Sequence, residues 1–505
     1  MTRTDPTPRE LHPAGKGRGD LVIEAPGLDE VNVVPWPLLL RHKLVRKVEA
    51  SDRYPWLVLS TALFGLFTVG FTVTLLAVSI PTIAGDLDAS QATLAWVITG
   101  PLLAYGIVGP TLGKAGDLFG YKKLYLIGIA GAGIFAGFTA LAWSAPTLIL
   151  FRVLGAGIGA ATGPASMAML NRVFEPEQRV KALGYWSFAN AGGPVLGVVV
   201  GAPIVEAFGW RWIFAAQVPL CLAGFLVALA LLPETERQKG VRFDLAGAGL
   251  LALSVTSLLF GLNRGAAWGW SNTVVVVSLL MCPFAMAAFI AYERRARDPL
   301  LKLDYFRDRN FAGPIAVQFF TNFAYMGGFI LTPLLLADGL GYGTTKTGLL
   351  SIFRPLAFAL TGPAAGYLAA RVGIRGMGIG GSLVISASMV VLSGVDLDTG
   401  YSYIIFAMVL SGMGLGASSP SMAATIANTV DEADFGVAGA TQQLAAQVGV
   451  VAGIQIMQTV QASREEAVGL IASYSDAYLV GAGVAALGAV CALVIRRGAL
   501  NPASG

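Results

Sequence analysis

The sequence predicts an all-α membrane protein of fourteen spanning helices, arranged as six, two and six, with the two sets of six forming pseudo-symmetric bundles. Composition is the first observation behind this. Of 505 residues, 55% are hydrophobic and only 13% charged, against about 25% charged in an ordinary soluble domain, and the mean hydropathy is +0.68. The second is the arrangement of the charges, which cluster between apolar runs of bilayer-spanning length, about 20 residues each. The third is a loop signature that occurs twice. A secreted domain, a cytosolic enzyme and a disordered chain are all excluded. A net charge of +4 is too small to signal a nucleic-acid partner.

The chain opens with a tail, 1–54, that is polar and rich in Pro and Gly up to about Glu30. A cleavable signal peptide would begin with a short apolar core, so the tail does not read as one. Between Val31 and Ala50, apolar residues alternate with Arg41, Lys43, Arg46 and Lys47. This segment reads either as an interfacial helix on an anionic leaflet or as a positive flank that orients the first span. The spans follow at about 56–80, 93–112, 124–143, 147–169, 184–206 and 211–232, making an N-terminal bundle over 55–233. Two inserted helices, 244–263 and 272–291, occupy 234–293. The spans 311–337, 347–369, 375–394, 402–429, 434–459 and 476–495 make a C-terminal bundle over 294–498, and 499–505 is a short tail.

Alternation of charge supports this partition. Of 34 Lys and Arg, 24 fall on one side: 41–53, 113–123, 171–182, 234–242, 293–310, 370–376 and Arg496–Arg497. The opposite loops hold four, Arg211, Arg264, Lys346 and Arg464. One missed or invented span would scramble that asymmetry, and the positive-inside rule makes the basic side, with both termini, cytoplasmic. Trp56, Trp143, Trp210, Trp268 and Trp270 sit near span ends, where aromatic rings anchor at headgroup level. The three cysteines (Cys221, Cys282, Cys491) lie singly in apolar runs, and both histidines (His12, His42) precede the first span. Neither a zinc site nor an intramembrane imidazole is therefore expected.

The repeat is GKAGDLFGYKK (Gly113–Lys123) after the second span and GYLAARVGIRG (Gly366–Gly376) after the tenth. Each has glycines seven apart and a basic residue two beyond the second glycine. Duplicated halves with a substrate site at their interface are a common plan of secondary transporters.

On these residues the sequence resembles the major facilitator superfamily, and within it the fourteen-span drug/proton antiporters. Gly113, Asp117, Gly120, Lys122 and Lys123 match the family's loop motif. The resemblance implies that this loop is a cytoplasmic latch for the outward-facing state. NAGGPVLG (Asn190–Gly197) resembles the family's fifth-span export motif, with Ala189 in place of its first glycine. Gly193 and Gly197 would share a helix face, and Pro194 would bend the helix. GWRWIF (Gly209–Phe214) and PLLKLDYFRDRNF (Pro299–Phe311) are similar to segments opening the sixth and ninth spans of such proteins.

Departures from the family pattern are as informative. Thr72 stands where the family's first span carries an embedded aspartate, Ala77 where it carries asparagine, and Ala370 replaces the acid in the second loop motif. No Asp or Glu lies well inside any span, so the usual buried carboxyl of a proton-coupled carrier is missing. Two embedded cations remain. Arg152 matches the family's fourth-span arginine, with Gly155 where its glutamine partner would be; Arg354 has no counterpart in the resemblance. An arginine at such depth costs about 2.5–3.5 kcal/mol to insert, so each is expected to meet an anionic substrate group, helix-end carbonyls or the interface. Asn190, Gln217, Gln318, Asn322, Gln442, Gln443 and Gln447 are candidate lining for a substrate cavity, with interhelical bonding as the alternative role.

Gly376–Gly381 satisfies G-x-G-x-x-G but opens a spanning helix, so the dinucleotide reading fails. The expected function is export of an amphipathic small molecule (a drug, a metabolite or a lipid-like compound) by a cofactor-free monomer in the plasma membrane, with membrane lipid and protons as further partners. A pH-independent facilitator or lipid flippase, and a non-transporting sensor or scaffold, are the alternatives.

Overall fold

The computed structural model describes residues 53–70, 72, 83–89, 91–94, 96–234, 244–297, 299 and 301–496. The tail with its basic segment, both histidines, Ala77, and the linker and C-terminal residues left out of those ranges lie outside the described residues.

The helices are α1 (Tyr54–Gly70), α2 (Trp96–Phe119), α3 (Tyr121–Ala140), α4 (Ala145–Gly159), α5 (Thr162–Val173), α6 (Pro176–Phe208), α7 (Arg211–Leu231), α8 (Leu245–Trp268), α9 (Thr273–Glu293), α10 (Arg309–Leu334), α11 (Thr344–Ser351), α12 (Phe353–Val372), α13 (Ile374–Ser393), α14 (Tyr401–Ala427), α15 (Phe435–Val468) and α16 (Leu470–Leu493). Among the described residues, eleven helical segments are long and apolar enough to cross a membrane. The protein is a multi-pass, all-helical membrane protein.

Local chemistry sets the helix ends. Asp244, Asn272 and Asp308 each accept a bond from a backbone N–H of the first turn, at 2.8, 2.9 and 2.8 Å, which relieves amides that have no intrahelical partner. Pro176 sits in the first turn of α6, where its missing N–H costs nothing. Pro333 lies just before a π-turn over Leu335–Gly339, closed by Leu340 N to Leu335 O at 2.9 Å.

Packing follows a two-fold pattern. In the first half α3 pairs with α7 and α2 with α4; in the second, α13 pairs with α16 and α12 with α14. The halves meet along two seams, α2 against α15 and α6 against α12. The inserted hairpin departs from the symmetry: α9 packs on α8, and α8 lies against both α2 and α15.

Trp210 was expected as a headgroup anchor, yet it is 2% exposed and donates from Nε1 to Asp86 Oδ2 at 3.0 Å. Arg211 pairs with the same carboxylate and reaches Ala142 O at 3.1 Å. The GWRWIF segment therefore ties three loops together at the face opposite the basic one. Trp143, 72% exposed, fits the anchoring role.

Candidate functional site: a two-seam gate and embedded polar groups

The two loop signatures build equivalent corners of the basic face. In each, the first glycine lies at a helix crossing. A Cβ on Gly113 would meet Gly436 and Ala440 of α15, and a Cβ on Gly366 would press on the Lys181 backbone of α6 at 2.6 Å. The second glycine in each makes the turn into the next helix in the left-handed region, Gly120 at φ 94° and Gly373 at φ 79°, where a side chain would be strained. Seven residues separate these two jobs in both halves, which is the physical content of the repeat.

Only the first corner carries an acid. Asp117 is 1% exposed, and its Oδ1 accepts from Tyr121 Oη and, at 3.2 Å, from Gly436 N in the first turn of α15. Gly436 N also lies 3.0 Å from Tyr121 Oη. A carboxylate on unpaired amides at a helix N-terminus is favoured by both the hydrogen bond and the helix dipole. Lys122 is buried and pairs with Glu234 at 3.3 Å, whereas Lys123 is exposed. The second corner, with Ala370 at the acid's position, meets α6 at Gly184, which abuts the Gly362 carbonyl, and at Lys181, whose Nζ sits 4.8 Å from the Tyr367 ring centroid.

Residues that the sequence offered only as topological charges complete this face. Arg172 donates to Glu432 O at 3.1 Å and lies over the Tyr121 ring at 5.0 Å. Arg179 bonds Asn428 Oδ1 and lies over the Phe435 ring at 5.1 Å. Lys302 and Tyr305 hold Asp434 at 2.6 and 2.7 Å, and that carboxylate keeps the Lys302 ammonium above its ordinary pKa. The α14–α15 turn is thus gripped from both halves. It was missed because the groups that meet there lie 129 to 260 residues apart in the chain and include a backbone carbonyl and a neutral amide, which leave no pattern in the sequence.

The embedded residues divide. Arg152 of α4 has Nη1 3.4 Å from Oγ1 of Thr72, two residues past the end of α1, and its guanidinium 5.5 Å from the ring centroid of Phe214 on α7. Arg354 is 1% exposed inside the second half; it donates to Tyr325 O at 3.3 Å and to Thr332 Oγ1 at 3.1 Å, and Tyr478 Oη joins that hydroxyl at 3.2 Å. Its place is in the helix packing of α12, α10 and α16. Gln217 and Gln318 are likewise buried and engaged, Gln217 to Thr68 O at 2.9 Å and Gln318 to Ser419 at 3.2–3.3 Å. Asn322 donates back to Gln318 O at 2.7 Å. Gln443 lies on a seam between the halves, where Tyr105 Oη reaches its Oε1 at 3.4 Å beside Gly163. Gln447 is half-buried one turn on, and Asn190 is exposed on α6. Gly193 faces Phe67 of α1, and the helix runs unbroken through Pro194 and Gly197.

Two helical halves joined by paired seams, with a buried acid bonded across one of them, make the frame of a membrane carrier. The sequence profile of the Major Facilitator Superfamily matches residues 62–454 and, in a second alignment, 315–502. The chain belongs to this superfamily: it is a membrane transporter and not an enzyme. It is 30% identical over 414 residues to the tetracenomycin C resistance and export protein of Streptomyces glaucescens, covering 81% of this chain and 76% of that one. It is 29% identical over 420 residues to the puromycin resistance protein of Streptomyces alboniger (82% and 83% covered), and 24% identical over 409 residues to a multidrug transporter protein of Bacillus subtilis (81% and 75%). Among solved structures, the human organic anion transporter TETRAN aligns with a TM-score of 0.63 at 14% identity, covering 87% of this chain and 99% of that one. A proton:xylose symporter aligns at 0.64 and 15%, covering 87% and 95%. Those two likenesses speak to the fold alone.

Proposed function

We propose that the protein exports amphipathic small molecules across the plasma membrane by alternating access, as a fourteen-span member of the drug/proton antiporter branch with both termini cytoplasmic. Its N-terminal bundle is 55–233, the inserted pair 234–293 and the C-terminal bundle 294–498. The observation that carries the reading is the Asp117–Tyr121 grip on Gly436. It joins the halves on the basic, cytoplasmic face and is the kind of contact that must break and re-form in each cycle. The named resistance and export proteins among its relatives supply the direction of transport, and Gly193, Pro194 and Gly197 stand where the family's export motif falls.

The cavity of this exporter is bordered by Arg152, Asn190, Gln217, Gln318, Asn322, Arg354, Gln443 and Gln447. Arg152, Asn190, Gln443 and Gln447 are half-buried or exposed and take the substrate-facing role. Gln217, Gln318 and Arg354 hold helices in register around them. The working unit is a monomer, with membrane lipid around it and no cofactor.

A second reading of the energetics rests on Thr72. Arg152 faces a hydroxyl where the resemblance expects an acid, which favours pH-independent facilitation or lipid flipping over proton antiport. Reconstituted liposomes with and without an imposed pH gradient separate the two, with ethidium and a fluorescent anionic phospholipid as probes. Gradient-driven ethidium movement supports the antiporter, and movement indifferent to pH supports the uncoupled carrier. Absence of movement for either probe overturns export and leaves a sensor or scaffold.

A further inference from the structure

The pseudo-two-fold makes the α2–α15 and α6–α12 seams equivalent, yet their surroundings differ. On the first seam α8 packs on both helices, α2 and α15. Near its outer end the Arg264 guanidinium stacks 3.9 Å from the Trp96 ring centroid of α2. Just beyond that end, Trp270 Nε1 donates to Thr459 Oγ1 of α15 at 3.1 Å. Leu251, Val255, Leu259 and Leu262 of α8 are buried in the second half's main apolar cluster. Outside α8 lies α9, which presents Val277, Leu280 and Phe284 outward. Two helix layers therefore stand between this seam and the acyl chains.

Among the described residues the inserted pair does not pack on the α6–α12 seam; α14, from the second half's own bundle, packs on both of its helices. The helices touch at Gly184 and Gly362 on the basic side. Six residues further along α6, about 9 Å toward the opposite face at 1.5 Å per residue, Asn190 is exposed. Ser187, three residues before it, is buried against Gly362, so Asn190 shares the seam-facing side of the helix. An amide has no partner in hydrocarbon and is costly there, so its exposure marks a place where something polar is met.

We propose that the inserted α8–α9 hairpin plugs one lateral seam, so that bilayer-dissolved amphipathic molecules exchange with the interior through the α6–α12 seam, where Asn190 meets their polar end. A plug explains why an inserted pair can sit on one flank of a symmetric carrier without being part of the transport path: it turns two lateral openings into one. The inference deepens the export reading by naming the route, and its test reads lipid access whether or not export is observed.

The full chain is reconstituted with a phospholipid carrying a photoactivatable diazirine on its acyl chain, and adducts are mapped by mass spectrometry. The expected result is labelling around Phe188–Asn190 of α6 and its neighbours on α12, with background labelling between Trp96 and Tyr105 and between Gln443 and Thr459. Equal labelling of both seams, or labelling of the α2–α15 seam alone, overturns the proposal. The double variant Arg264→Ala/Trp270→Ala loosens the plug and is expected to raise labelling at Trp96 and Thr459. Unchanged labelling in a variant with wild-type melting behaviour also overturns it. Substitution of Val277 by Ala on the lipid side of α9 is the control and leaves both seams as they were.

Discussion

Arg152 Nη1 lies 3.4 Å from the hydroxyl of Thr72, a residue 80 positions earlier in the chain. The embedded guanidinium therefore meets the position at which the sequence resemblance expects an acid, and finds a neutral acceptor instead. Burying a cation without a counter-charge is costly, so an acid restored there should be taken up at once as an ion pair. Thr72→Asp is expected to make export respond to an imposed pH gradient, since protonation of the new carboxyl would then break or restore the pair. The readout is efflux from liposomes at equal and unequal pH. The same pH response in wild type and variant would argue against this role for position 72.

Asp117→Asn keeps the shape of the latch and removes its charge. Asparagine can still accept the Gly436 N–H, so what is lost is the negative charge at the helix N-terminus, worth about 0.3–1 kcal/mol and up to about 2 where partly buried, enough to shift the balance between closed and open basic faces severalfold. Maleimide modification of a cysteine placed at Ala440 should accelerate in the variant while membrane insertion is unchanged. Equal modification rates would remove Asp117 from the gate. Tyr121→Phe should show a smaller change in the same direction, because Gly436 N retains the carboxylate.

The α14–α15 corner of the gate contains its own source of instability. Gln442 is buried with Oε1 unbonded, and Asn171 Oδ1, which lines the same small void, is also unbonded. A buried polar atom left unsatisfied costs about 1–3 kcal/mol. Gln442→Met should therefore strengthen the closed basic face, raising the melting temperature and slowing turnover. A variant that melts lower and cycles faster would contradict the assignment.

On the opposite face, Arg211 and then Trp210 hold the Asp86 carboxyl below its ordinary value of 3.8. A depressed pKa contributes stability above the unfolded value, lost as pH falls through the folded one. Wild type should therefore lose more melting temperature than Asp86→Asn when the pH is lowered from 7 toward 3. Parallel losses would show that the pair contributes nothing.

Much of this architecture is legible in the sequence because bilayer physics is one-dimensional: apolar length and loop charge are read directly along the chain. The glycine pairs 113/120 and 366/373 are legible for the same reason, since a crossing and a left-handed turn each demand a glycine at a fixed place. The gate is less legible. The partner of Asp117 is the amide of Gly436, 319 residues away, and no side-chain pattern announces a backbone donor. Nor does an amide in a spanning helix declare its direction: Gln217 and Gln318 turn inward to bond neighbouring helices, Asn190 turns out, and only packing decides which. Trp210 was misread for a related reason, because its position at a span end says nothing of the carboxylate that waits beside it.

The claim on which the account turns is that the basic-face seam parts in every transport cycle. Lys181 and Tyr367 meet across it, the ammonium 4.8 Å from the ring centroid, so cysteines at these two positions can be joined by a short bifunctional methanethiosulfonate. If the seam must part, the cross-linked protein stops exporting and a reductant restores the rate of the unlinked variant. Export that continues at full rate with the seam chemically closed would contradict it.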